Sequence, residues 1–154
     1  ALTTTPMAPY VWTGDSKSTT AKAVVSASRS FPGNLVCASG SRTGEVCNAR
    51  VKQTGVMTRQ PNGQISGPMV YAVNEDWLAT AGPGDSGGPV YQPLPDSEHF
   101  KDAVEAKGII YAGIIGDFPC NDPSQSVCGA EFYYIDIMDA LWRYDAQMAL
   151  WSPY

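Results

Sequence analysis

Gly84-Asp85-Ser86-Gly87-Gly88-Pro89 constrains this 154-residue chain more than any other stretch. It sets a serine in a glycine-rich turn, beside an acid and just before the strand-like Val90-Tyr91. Glycines tolerate positive φ and let another backbone come close. Such a turn can aim N–H groups at one point, which is what a developing oxyanion needs. A serine hydroxyl is a weak nucleophile, however, and needs a base beside it. The chain has one histidine, His99, and it lies after the serine.

The rest of the chain reads as short strands between turns. Fifteen glycines and twelve prolines supply the turns, and 44 % apolar residues are enough for one core. Strands are expected at Ala23–Ser26, Leu35–Ala38, Val46–Met57, Met69–Val73, Val90–Tyr91, Ala103–Ile115 and Phe132–Ile135. Gly55 is a candidate bulge. Turns are expected at Gly14-Asp15-Ser16 and Pro61-Asn62-Gly63. Ile137, Leu141, Tyr144, Met148 and Trp151 recur at helical spacing, so a helix is expected to run through them. This order predicts an all-β fold, a small antiparallel barrel followed by one terminal helix.

A net charge of −5 argues against nucleic acid or an anionic membrane surface as a partner. No apolar run is long enough for a membrane span. Neither a metal-ligand constellation nor a phosphate loop is present, so no cofactor is expected. Cys37 with Cys47 and Cys120 with Cys128 form two close pairs without CxxC spacing. Two short-range disulfides are the preferred reading, although four cysteines allow more than one connectivity. Each would stabilise by roughly 2–3 kcal/mol and would imply an oxidising compartment, hence secretion.

Four segments, in order, resemble chymotrypsin-like serine proteases of the bacterial streptogrisin type. They are the Gly84–Pro89 turn, the Val36–Cys47 hairpin, Gly108–Gly113, and Phe132–Leu141. The likeness spans about residues 12–145. It implies a six-stranded Greek-key barrel with a C-terminal helix, the second of two barrels, over residues 28–154. Residues 1–27 would be an extended lead or inter-barrel linker. The resemblance implies Ser86 as nucleophile and the N–H groups of Gly84 and Ser86 as oxyanion hole. It implies Asp85 as loop support through a buried ionic partner, with Arg42 a candidate for that partner. Tyr111, Ala112 and Gly113 would pair with substrate backbone as an added strand. The resemblance also implies that, with no cysteine directly before Gly84, Cys120 would pair with Cys128.

The family's histidine and aspartate, both upstream of the serine, have no counterpart here. Tyr111 stands where relatives carry a small serine, so its ring would crowd an aspartate from a first barrel. Leu78, Ala79, Thr80 and Ala81 suggest an apolar pocket wall with no trypsin-like preference. His99 reads as a solvated loop residue, and Asp76, Asp117 and Asp122 as surface or turn carboxylates. Trp77, Trp142 and Trp151 read as core or interface anchors. The expected activity is that of a serine endopeptidase lacking its base, on a polypeptide substrate. The competing expectation is an inactive protease-like module for binding or assembly. Either leaves an inter-barrel face bare, so a missing N-terminal barrel or self-association is expected to cover it.

Overall fold

Val36 and Cys37 sit side by side on one strand, point to opposite faces, and are both buried. A strand covered on both faces needs layers on each side, and the molecule supplies them. The computed structural model describes residues 8–116, 119–125 and 127–152. Its strands are β1 (Tyr10–Thr13), β2 (Thr20–Ala27), β3 (Leu35–Gly40), β4 (Gly44–Arg59), β5 (Ile65–Asn74), β6 (Pro89–Pro93), β7 (Val104–Gly116) and β8 (Cys128–Asp136). One helix, α1 (Ile137–Arg143), follows.

Six of these strands pair in a cycle. β3 pairs β4, β4 pairs β5, β5 pairs β8, β8 pairs β7, β7 pairs β6, and β6 returns to β3. All six pairings are antiparallel. The β3-β4-β5 meander with β6 lying back beside β3 is a Greek key. Inside the cycle, Val36, Val51, Val70, Val90, Phe132 and Tyr134 form one core. On its outer side Val24, Cys37, Tyr91, Val104 and Ile137 form a second, joined by Leu141 and Met148.

Two elements differ from the sequence reading. The stretch read as an extended lead contains the β1–β2 hairpin, and β2 runs parallel to β7. The sheet is therefore not antiparallel throughout. Its turn is held by Asp15, whose side chain accepts from the Lys17 N–H at 2.8 Å. The helix is also shorter than expected. Asp136 caps its start by accepting from the Met138 N–H at 2.9 Å. It ends at Arg143 because Asp145 turns left-handed (φ 47°). The Asp145 N–H then bonds the Trp142 carbonyl, and the Ala146 N–H bonds that of Leu141. Beyond this stop Met148 still packs inward, the Trp151 N–H bonds the Val24 carbonyl at 2.7 Å, and its ring meets Phe100. The apolar spacing marked an inward face, but not a continuous helix.

Other local expectations match. β4 and β5 lose register around Thr54-Gly55, where Gly55 has φ 70°, as a bulge requires. The 61–63 turn is closed by a Gly63 N–H to Gln60 carbonyl bond of 2.8 Å. Disulfides join Cys37 to Cys47 and Cys120 to Cys128. Trp142, expected as an anchor, is 86 % exposed. No helix among the described residues is long and apolar enough to cross a membrane.

Candidate active site

The turn carrying Ser86 links β5 to β6 by way of residues 75–88. Asp85 anchors it. This side chain is 1 % exposed and accepts from the Arg42 N–H (2.8 Å), the Thr43 N–H (3.0 Å), the Gly82 N–H (2.9 Å) and the Thr43 hydroxyl. The expected buried cation is not among its partners. A carboxylate with this many donors has its charge spread over hydrogen bonds and needs no counter-ion beside it. The Arg42 guanidinium goes elsewhere, to Asp122 (Nε to Oδ2, 3.0 Å) and Ser124. Bonds from Ser124, and then the Arg42 charge, hold the Asp122 carboxyl below its usual range. Gln125 ties the same disulfide loop to the Pro83 carbonyl at 2.8 Å.

With Asp85 tucked in, Ser86 is exposed at the tip. Gly84 and Gly87 adopt φ 94° and 90°, which a side chain would resist. Gly87 donates to the Ile110 carbonyl and Gly88 to that of Asp85. Among the described residues, no intramolecular bond takes the N–H of Gly84 or Ser86. The Ser86 hydroxyl donates to the Tyr111 carbonyl at 3.1 Å. That carbonyl cannot act as a base, so the hydroxyl keeps its proton.

Beside Ser86 lies a cavity of about 650 Å³. Tyr10, Trp12, Asp15, Ser18, Ser39 and Ser41 are among its walls. Tyr10 and Trp12 are 51 % and 68 % exposed. His99 borders a different cavity, with Phe100, Lys101 and Trp151. It does not line the Ser86 cavity.

β7 pairs with β6 only as far as Ile109, and Ile110 bonds Gly87 and Gly88. From Tyr111 to Gly116 its sole strand partner among the described residues is β8. Tyr111, Ala112 and Gly113 thus sit on an open strand edge next to Ser86. The Tyr111 hydroxyl reaches Ser66 (3.2 Å) and Gln60 (3.4 Å) at the end of the β4–β5 hairpin. Ala79, Thr80 and Ala81 are buried, whereas Leu78 is 53 % exposed and contributes no buried wall. Asp76 accepts from Asn48 (2.7 Å), and Asp117 lies outside the described residues.

Several solved structures share the fold of this chain. Thermobifida fusca Protease A matches with a TM-score of 0.62 at 19 % identity, over 93 % of this chain and 61 % of that one. Cellulomonas bogoriensis chymotrypsin matches with a TM-score of 0.64 at 19 % identity, over 94 % and 63 %. The fold is that of bacterial chymotrypsin-like serine proteases. A glutamic acid specific serine protease (TM-score 0.61, 21 % identity, 92 % and 60 %) agrees. The chain spans about three-fifths of the length of these three proteins. No family model and no curated protein matches its sequence.

The sequence reading missed the seat of Asp85. Thr43 and the main chain at Arg42 and Gly82 make it, and Gly40 leaves it room. The Ser-Gly-Ser-Arg-Thr-Gly run at 39–44 was the available signal, because such a run folds into a tight hairpin end with free N–H groups.

Proposed function

We propose that this protease-like module is the nucleophile-bearing part of a secreted serine endopeptidase whose general base comes from outside it. The exposed Ser86 on a turn with two unengaged N–H groups carries the reading. Ser86 Oγ would attack a peptide carbonyl. Its proton would pass to the external base and then to the leaving amine as the C–N bond breaks. Water would hydrolyse the acyl-enzyme. Gly84 and Ser86 N–H groups would hold the oxyanion, and Tyr111 to Gly113 the substrate backbone. On this reading residues 28–154 form a second barrel, residues 1–27 its lead, and a first barrel fills the cavity beside Tyr10 and Trp12. The shared fold, the three-fifths coverage and the two disulfides support it.

One observation favours a second reading, an inactive module for binding or assembly. The Ser86 hydroxyl is spent on the Tyr111 carbonyl, with no imidazole lining its cavity. Deleting triad members elsewhere leaves about 10³–10⁴-fold acceleration over water. Added imidazole separates the two readings. With p-nitrophenyl acetate and imidazole, the chain should release a burst of one nitrophenolate per molecule and gain one acetyl group, and Ser86→Ala should abolish both. A chain that gains no acetyl group under these conditions is the inactive module.

A further inference from the structure

Gly113 has an ordinary backbone conformation, so its lack of a side chain is not a matter of φ. Room requires it. A β-carbon at Gly113 would lie 2.8 Å from the Ala81 carbonyl oxygen and 3.2 Å from the carbonyl carbon. Ala81 cannot easily retreat. It is 1 % exposed, its N–H bonds the Gly129 carbonyl (3.2 Å), and its own carbonyl accepts from the Gly129 N–H (2.9 Å). The next residue, Gly82, is tied to Asp85, and Pro83 to Gln125. A fixed wall therefore runs from Ala81 toward Ser86, in contact with one face of β7.

Directly opposed residues of two antiparallel strands project their side chains to the same face. A peptide added to the open edge of β7 would place the residue opposite Gly113 on the face that Ala81 occupies. We infer that the edge beside Ser86 takes up an extended peptide only when glycine stands opposite Gly113, because the Ala81–Pro83 wall leaves no room there for a side chain. This rests on the reading of Tyr111 to Gly113 as the peptide-binding edge. It narrows the substrate class to glycine-containing segments.

Backbone amide NMR of the full chain tests it, with blocked pentaglycine and blocked pentathreonine as probes. Pentaglycine should shift the Tyr111 to Gly113 signals at concentrations about tenfold lower than pentathreonine. Equal or tighter binding of pentathreonine overturns the glycine restriction and leaves the peptide-binding reading standing. If neither peptide moves these signals, the edge is not a peptide site, and the inference falls with that reading. Gly113→Ala adds a check without ligand. It should lower the melting temperature, and an unchanged melting temperature means that the wall gives way and the restriction is wrong.

Discussion

The Asp85 carboxylate fills the space that a side chain at Gly40 would need: a β-carbon there would lie 2.2 Å from Asp85 Oδ1. This contact decides how the nucleophile turn is built, since Asp85 buries itself beneath Ser86 by bonding the 42–43 main chain. Gly40→Ala should cost about 1–3 kcal/mol through overpacking. Asp85→Ala should cost about 2–4 kcal/mol, because it strands three buried or half-buried N–H donors and a hydroxyl. Urea denaturation of both variants measures these losses. Equality of Asp85→Ala with the parent would mean that the carboxylate does not hold the turn.

Most of the barrel was legible in the sequence because its strands carry their own signals. Val36 and Cys37 alternate across β3, and Gly55 marks the bulge in β4. Of the β1–β2 hairpin only Ala23–Ser26 was legible, since Thr, Ser and Lys fill the stretch from Thr13 to Lys22 and β2 is held by β7, far along the chain. Helix length was misjudged because spacing records only which residues face inward, whereas Asp145 decides where the helix stops. Ser86 announced itself through its glycines. The partners of Asp85 did not, because most are main-chain N–H groups, which no residue type advertises.

Alkaline pH should destabilise the fold. Burial, then the bond to Glu45, pushes the Tyr91 phenol well above its ordinary 10.0. Burial also raises Tyr134, and burial with Glu131 raises Tyr71 to about 12. Above pH 10 the unfolded chain loses these protons while the folded chain keeps them, so stability is whole below pH 10 and falls as pH rises. The two buried tyrosines should contribute a loss of about 2–3 kcal/mol by pH 11. Tyr91→Phe with Tyr134→Phe should flatten the decline in denaturant midpoint between pH 8 and 11, and an unflattened decline rules these two out as its source.

Acid acts on a different pair. Burial disfavours the charged Glu105, but Lys107 at 2.6 Å, Ser28 and Ser26 outweigh it, and the carboxyl titrates below its ordinary 4.5. Its contribution is present above pH 4.5 and disappears as pH falls through the lowered value. Glu105→Gln should therefore be less stable than the parent at pH 7 and converge with it at low pH. A constant gap down to pH 2 would show that charge is not what Glu105 supplies.

Removing either disulfide should cost roughly 2–3 kcal/mol, but with different consequences for Ser86. Cys37 and Cys47 brace the β3–β4 hairpin, whereas the Cys120–Cys128 loop reaches the turn through Asp122 to Arg42 and Gln125 to Pro83. Paired replacement of Cys120 and Cys128 by serine should reduce the imidazole-dependent acetylation of Ser86 about tenfold or more, from lost positioning. The same replacement at Cys37 and Cys47 should lower the melting temperature with less effect on acetylation at 20 °C.

Tyr10 and Trp12 leave an aromatic surface beside the Ser86 cavity. Without a covering domain the chain should self-associate, and light scattering over a concentration series should show mass rising. Trp12→Ser should shift that rise to higher concentration. A strictly monomeric parent at millimolar concentration would mean that this surface is not an interface.

The most direct test of an externally supplied base is fluorophosphonate labelling of the purified chain, read by intact mass. Labelling of the chain alone should be slow and substoichiometric and unchanged by His99→Ala, and imidazole should accelerate labelling on Ser86. Rapid stoichiometric labelling of Ser86 without any additive would contradict an external supply, since the chain would then carry its own base.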